Sequence, residues 1–245
     1  MEYISPKWNK KISIHRAEYK DIDNIMEIYN LLSLKNEYEE KIDLNWNKCY
    51  SKTWWIVKTP DKNRIKEAIK NENHIFNIAE CNNEMTWFLW WCKNFSKLES
   101  FYDFFSKEWI LHKDYYYFQK DFDINSVAYW ADLMIKPEFQ KNVFSWLLYY
   151  NFLKELSFNW KKTLLFMIED IISTTKHWIA HIMNIPNTAS LNMQLHFDPM
   201  HIKTINDNVE IYKDIYIERK CEYYTVNIEN TLKKMEEFFK KIKYI

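Results

Sequence analysis

Few side chains in this sequence stand where they could do chemistry, and several of them interrupt apolar runs. Asp132 sits within SVAYWADLMIK (126–136) and Glu80 within HIFNIAEC (74–81), with Tyr129 three residues before Asp132. A carboxylate on a strand can serve as a general base, although its commoner fate is hydration or a salt bridge. His177 and His181 lie four apart in HWIAH and on a helix would share a face, as metal-binding pairs do. No glutamate follows the first histidine and no third ligand is evident, so surface or core histidines are the preferred reading and no metal site is expected. Cys49, Cys81, Cys92 and Cys221 show neither a CxxC pair nor a metal-finger spacing. They read as buried thiols.

The elements that must position these residues follow from periodicity. KISIHR (11–16) alternates as a half-buried strand does, and in DIDNIMEIYNLL the residues Ile22, Ile25, Met26, Tyr29 and Leu32 recur at helical spacing behind a capping Asp21. DKNRIKEAIK (61–70) predicts a short helix. HIFNIAEC and EMTWFLWWC flank Asn82-Asn83, a pair that tolerates the positive φ of a tight hairpin turn. Residues 93–123 form a long aromatic, lysine-rich insertion whose segment 101–118 could frame a pocket. Residues 126–136 predict a strand ending at Pro137, followed by a helix over 139–158 with Phe144, Leu147, Leu148, Phe152 and Leu156 as its stripe. TLLFMI (163–168) predicts a strand. Helices are then expected at 174–183 and from Asn187, strands near 196–204 and 220–228, and a terminal amphipathic helix over 229–245. That last helix presents Leu232, Met235, Phe238, Phe239 and Ile242, a face that suits a homodimer interface and packing on its own domain equally well.

Composition narrows the classes. A chain of 245 residues, 47% hydrophobic and 28% charged, can bury one sizeable core. Thirty-four basic against 34 acidic residues leave no field for nucleic acid or an anionic membrane. The amino terminus lacks the apolar core of a signal peptide and no apolar run approaches the roughly 20 residues of a membrane span, so a cytoplasmic location is expected. Glycine is absent where average usage near 7% predicts about 17, while tryptophan numbers 12. Several tryptophans stand where chain geometry asks for glycine: Trp160 after a helix, Trp54 and Trp55 together, and Trp146 near a loop-to-helix junction. This pattern points to a genetic code in which a codon read here as tryptophan specifies glycine.

The order strand, helix, helix, hairpin, strand, long helix, strand, helix, strand resembles the GNAT (GCN5-related N-acetyltransferase) fold. SIHRAEYKDIDNIMEIYN looks like that family's opening strand and first helix, and IAECNNEMTWFLWW like its second and third strands. ADLMIKPEFQKNVFSWLL is similar to the family segment in which a strand ends at Pro-Glu and passes through Q/R-x-x-G-x-G/A into a helix. Gln140 matches the first position of that signature, while Val143 and Ser145 replace its two small residues. The resemblance implies an α+β fold: a mixed, mostly antiparallel sheet flanked by helices, over 1–228. It also implies an acetyl-CoA-dependent N-acetyltransferase in which a primary amine, on a small molecule, peptide or protein, attacks the thioester directly within a ternary complex. Backbone groups of Gln140, Lys141, Asn142, Val143, Phe144, Ser145 and Trp146 would then cradle the pyrophosphate at a helix amino terminus. Leu133, Met134 and Ile135 would pair with the pantetheine arm. NIPNTASLNMQLHF resembles the family's N-x-x-S/A segment, with Asn187 on the pantetheine and Ser190 near the phosphates; a simple helix cap is an equal reading of Asn187. Asp132 and Glu80 are the candidate bases and Tyr129 the candidate acid. Two other readings are a non-catalytic GNAT-like module that binds acyl-CoA or a protein partner, and an aromatic platform for a sugar or peptide. The platform needs exposed rings, whereas most of the tryptophans lie inside apolar runs.

Overall fold

The computed structural model describes residues 2–4, 11–33, 60–94, 124–139, 143–176, 179–185, 197–212 and 215–241. Strand β1 (Glu2–Ile4) pairs with β2 (Lys11–Arg16), and helix α1 (Ile22–Leu32) follows. Asp21 precedes α1 as expected, but its carboxylate reaches back to the Glu18 N–H at 2.8 Å rather than forward into the helix. Helix α2 (Lys62–Lys70) is capped by Asp61, which accepts from the Asn63 N–H at 2.6 Å. Strands β3 (His74–Cys81) and β4 (Glu84–Cys92) form the expected hairpin. Its turn residues Asn82 and Asn83 take φ of 55° and 66°, the left-handed pair that a two-residue turn requires.

Strand β5 (Val127–Ile135) lies antiparallel to β4, and a 3-10 turn at Pro137–Phe139 precedes helix α3 (Val143–Phe158). Strand β6 (Thr163–Lys176) is followed by β7 (Ile179–Ile185), β8 (Met200–Tyr212), β9 (Ile215–Asn227) and helix α4 (Ile228–Lys241). The described strands make one sheet of order β1-β2-β3-β4-β5-β6-β9-β8, with β7 also paired to β6. Among the described strands only β5 and β6 run parallel. The architecture is the mixed, mostly antiparallel α+β sheet expected.

Two cores hold the layers together. On one face, α3 and α4 bury Leu147, Leu148, Phe152, Leu156, Met235 and Phe239 against Trp87, Leu89, Trp130 and Phe166. On the other face, α1 and α2 bury Ile25, Ile28, Tyr29 and Ile65 against Phe76, Ile78, Phe88 and Trp90. Strand β4 feeds both, which is why nearly every residue along EMTWFLWWC is buried. The apolar face of α4 lies on α3, where Phe239 meets Tyr150 edge-on and Glu236 accepts from the Tyr150 hydroxyl at 2.9 Å.

The carboxy-terminal half corrects the periodicity. The helix expected at 174–183 is instead the end of β6 and the hairpin strand β7, with Thr174 opposite His181 and Thr175 opposite Ala180. Isoleucine and threonine crowd this stretch, and their stiff branched side chains suit a ladder more than a helix. A helical face shared by His177 and His181 is thereby removed; His177 itself lies outside the described residues. The two late strands are longer than expected, and α3 begins at Val143 rather than 139, which puts Trp146 within the helix. The expected helix from Asn187, residues 95–123 of the insertion, Cys49, Trp54 and Trp55 lie outside the described residues.

Candidate active site

The feature that organises the site is how soon β5 and β6 part. Their parallel ladder holds only Val127↔Thr163, Ala128↔Leu164 and Tyr129↔Leu165. Beyond it β5 stays with β4 as far as Ile135, while β6 stays with β9 as far as Lys176. A wedge therefore opens at the carboxyl ends of two parallel strands, the place where open sheets of this kind bind ligands. Leu133, Met134 and Ile135 lie along one lip, their side chains buried and their backbone paired on the β4 side with Leu89, Phe88 and Trp87. Among the described residues the β5–β6 ladder ends before Leu133 and Met134, and farther along β6 the same edge is taken by β7 from Ile171 to Lys176, so a chain of amides entering between them would meet strand backbone.

A bulge aims the polar residues. Trp91 pairs with Trp130 and Trp90 with Asp132, so Ala131 is an extra residue without a ladder partner on β4. The alternation slips at that point. Trp130 and Leu133 pack into the core under α3, whereas Ala131 and Met134 pack on the α1 side. Asp132 also meets the α1 side, where its Oδ2 accepts a 2.7 Å hydrogen bond from the Tyr29 hydroxyl. Burial raises the affinity of the Asp132 carboxylate for a proton; the Tyr29 bond and the Arg64 charge oppose that shift without cancelling it. Tyr129, at the last rung before the wedge, is held protonated well above the usual phenol range, chiefly by burial. A carboxylate with raised proton affinity and a protonated phenol thus stand three residues apart at the point where the strands diverge.

Glu80 is elsewhere. It lies on β3, with β4 between it and β5, and it pairs across the sheet with Ser13 and Met85. Its Oε2 is 3.5 Å from both the Ser13 hydroxyl and His15 Nε2. Two strand spacings and four residues along the strand separate it from Asp132 by about 16 Å. One amine nitrogen could not be served by both.

A carboxylate absent from the sequence reading stands on the other lip. Glu169 of β6 pairs with the Arg219 guanidinium, which also grips Asp207 with Nε–Oδ1 at 2.5 Å and Nη2–Oδ2 at 2.7 Å. Burial pushes Glu169 up and Arg219 opposes that shift, while the Asp132 charge adds to it. Glu169 therefore senses the charge of Asp132. Glu169 had a sequence signal, since it is the first charge after the apolar run TLLFMI, as Asp132 is after VAYWA. Cys92 and Cys221 belong to the same cluster as Tyr129, and burial raises both thiols to about 12. They stay protonated near neutral pH and are poor nucleophiles.

Of the expected pyrophosphate cradle, Val143, Phe144 and Ser145 form the opening of α3, and Trp146 follows in the same helix. The Trp146 ring is stacked on Phe238 at 5.3 Å and set edge-on to Phe197 at 5.3 Å, so it is committed to the flank formed with α4. Gln140, Lys141, Asn142, Asn187 and Ser190 lie outside the described residues.

No family model matches the chain, and no curated protein matches it. Solved structures do. The ribosomal-protein-S18-alanine N-acetyltransferase from Escherichia coli superposes with a TM-score of 0.52 at 9% identity, over 89% of this chain and 94% of that one. An N-acetyltransferase from Staphylococcus aureus Mu50 gives 0.52 at 13% identity, over 89% and 98%. The acetyltransferase-like yncA of Salmonella typhimurium, solved with its cofactor acetyl-CoA, gives 0.50 at 14% identity, over 89% and 94%. At these identities the likeness is one of fold, shared with these N-acetyltransferase structures.

Proposed function

We propose that this GNAT-fold chain is an N-acetyltransferase that moves an acetyl group from acetyl-CoA to a primary amine within a ternary complex. The observation that carries the reading is the early parting of β5 and β6, with a half-buried carboxylate and a buried phenol at the fork. The fold neighbours support it at the level of the superfamily. When bound, acetyl-CoA supplies the acetyl thioester. The chain's own residues then divide the work. The β6-facing edge of Leu133, Met134 and Ile135 aligns the donor's amide arm, and the backbone opening α3 at Val143–Trp146, with Gln140, Lys141 and Asn142 before it, receives the phosphates. Asn187 and Ser190 belong to the same binding set by the family pattern. Asp132 takes the proton released as the acceptor nitrogen bonds to the acetyl carbon. The N–H of Ala131, which has no ladder partner on β4, is our candidate donor to the charge developing on the carbonyl oxygen. Tyr129 returns a proton to the departing sulfur. With Cys92 and Cys221 protonated, direct attack fits better than passage of the acetyl group through either thiol.

The deciding experiment is calorimetric titration of acetyl-CoA into the protein, followed by thiol release across a panel of small amines, peptide amino termini and lysine side chains. Binding with thiol release on at least one amine class supports the transferase. Binding with no release on any class leaves the non-catalytic acyl-CoA module. Absence of binding by the folded protein overturns both.

A further inference from the structure

Resting on the reading of Asp132 as the base, we propose that Tyr29 is a positioning residue that holds Asp132 in its working rotamer and sets the pH at which it ionises. The sequence presents Tyr29 as one apolar member of the α1 stripe, and its ring does pack that way, 4.9 Å from Phe88 and wholly buried. Its hydroxyl does something different. It leaves the helix and meets Asp132 Oδ2 at 2.7 Å, a bond that links α1 to the bulged segment of β5. A buried phenol needs a partner, and a carboxylate is the strongest acceptor it can find. Among the described residues no hydrogen bond engages the other oxygen, Oδ1, which leaves that oxygen for the proton released by the acceptor nitrogen as it bonds to the acetyl carbon.

The groups around the carboxylate come from several elements. Arg64 of α2 lies over the Trp90 ring at 5.5 Å, and its charge reaches Asp132, Tyr29 and Cys92. Tyr129 of β5, Cys92 of β4 and Glu169 of β6 complete the set that senses Asp132. Among the described residues Tyr29 is the side chain that hydrogen-bonds to it. Burial holds the Tyr29 phenol well above its usual range, so it remains the donor wherever Asp132 is ionised. A donor to the carboxylate favours the charged form. Removing it leaves the base harder to ionise and free to rotate.

The first test needs no acceptor. Protein labelled with ¹³C at the aspartate carboxyl is titrated by NMR, with Asp132→Asn identifying the resonance. Tyr29→Phe keeps the ring and deletes only the hydroxyl; its Asp132 midpoint should move upward. A 3-fluorotyrosine placed at 29 is a stronger donor that keeps the packing, and its midpoint should move downward. Opposite shifts support the proposal, and an Asp132 resonance that moves in neither protein overturns it, whichever variant folds better. Where an acceptor is in hand, the acid limb of kcat/KM should follow the same order. Tyr29→Phe should lose about ten-fold in kcat with KM unchanged, against at least ~100-fold for Asp132→Asn. Full activity in Asp132→Asn would overturn the base assignment itself. An inactive Asp132→Asn beside an unmoved acid limb in Tyr29→Phe would overturn only the role given to Tyr29.

Discussion

At Trp160 the backbone takes φ of 60°, and the end of α3 closes around it. Trp160 N–H donates to the Ser157 carbonyl and Lys161 N–H to the Leu156 carbonyl, each at 3.0 Å, which is the paired pattern of a Schellman end. A residue with a β-carbon costs roughly 1–2 kcal/mol in that conformation. The ring offsets little of this, being 88% exposed. Trp160→Gly should therefore raise the unfolding free energy by about 1 kcal/mol, read as a higher denaturant midpoint at constant slope. Trp91 adds a second mismatch: its buried indole N–H has no hydrogen-bond partner among the described residues. Both observations agree with glycine at positions written as tryptophan. Mass spectrometry of peptides from the native source decides it, and tryptophan at 160 would end the idea. Asp132 makes a different prediction. Its folded pKa is raised, so its contribution to stability is full below the ordinary carboxylate range and is lost as pH rises through the folded value. Asp132→Asn should accordingly be more stable than the parent at neutral pH while losing transfer, and the difference should vanish in acid. Equal pH dependence of the two proteins would contradict the burial assigned to this carboxylate.

Element by element, what could be read in advance was what local physics controls. The Asn82-Asn83 turn, the short helix over 61–70 and the 126–136 strand ending at Pro137 all follow from side chains acting on their own backbone. Asp61→Ala should cost about 1 kcal/mol in a thermal or denaturant melt, because the Asn63 N–H loses its acceptor. The stretch 174–183 could not be read that way. Its strand state depends on β9, to which the end of β6 is paired from Ser173↔Glu218 to Lys176↔Ile215, a neighbour some forty residues on. The site divides along the same line. Asp132 and Tyr129 were legible as polar residues in an apolar strand, whereas Glu80 looked equivalent until the sheet order put β4 between them. Glu169 was overlooked because its place beside the wedge exists only once β5 has left β6. Tyr29 reads as packing in the sequence because a tyrosine's ring carries the periodicity and its hydroxyl carries none.

For the molecule as a whole, β3, β4 and β5 each present residues to both cores while the helices divide between them, so damage to the α3/α4 helices and to the α1/α2 helices should be felt separately. Phe239→Ala, which empties the contact of α4 with Tyr150, should cost about 3–5 kcal/mol in denaturant unfolding. The three-rung ladder between β5 and β6 has a further consequence, visible in time rather than in structure. With so few shared hydrogen bonds, the first and second halves of the sheet are joined at a seam, and backbone amides just past it lie where local opening is easiest. Residues 131–135 should exchange their amide hydrogens for deuterium faster than the rest of β5 in the free protein. A donor lying along that edge would supply the rungs that β6 withholds, and acetyl-CoA should slow exchange there before it slows it anywhere else.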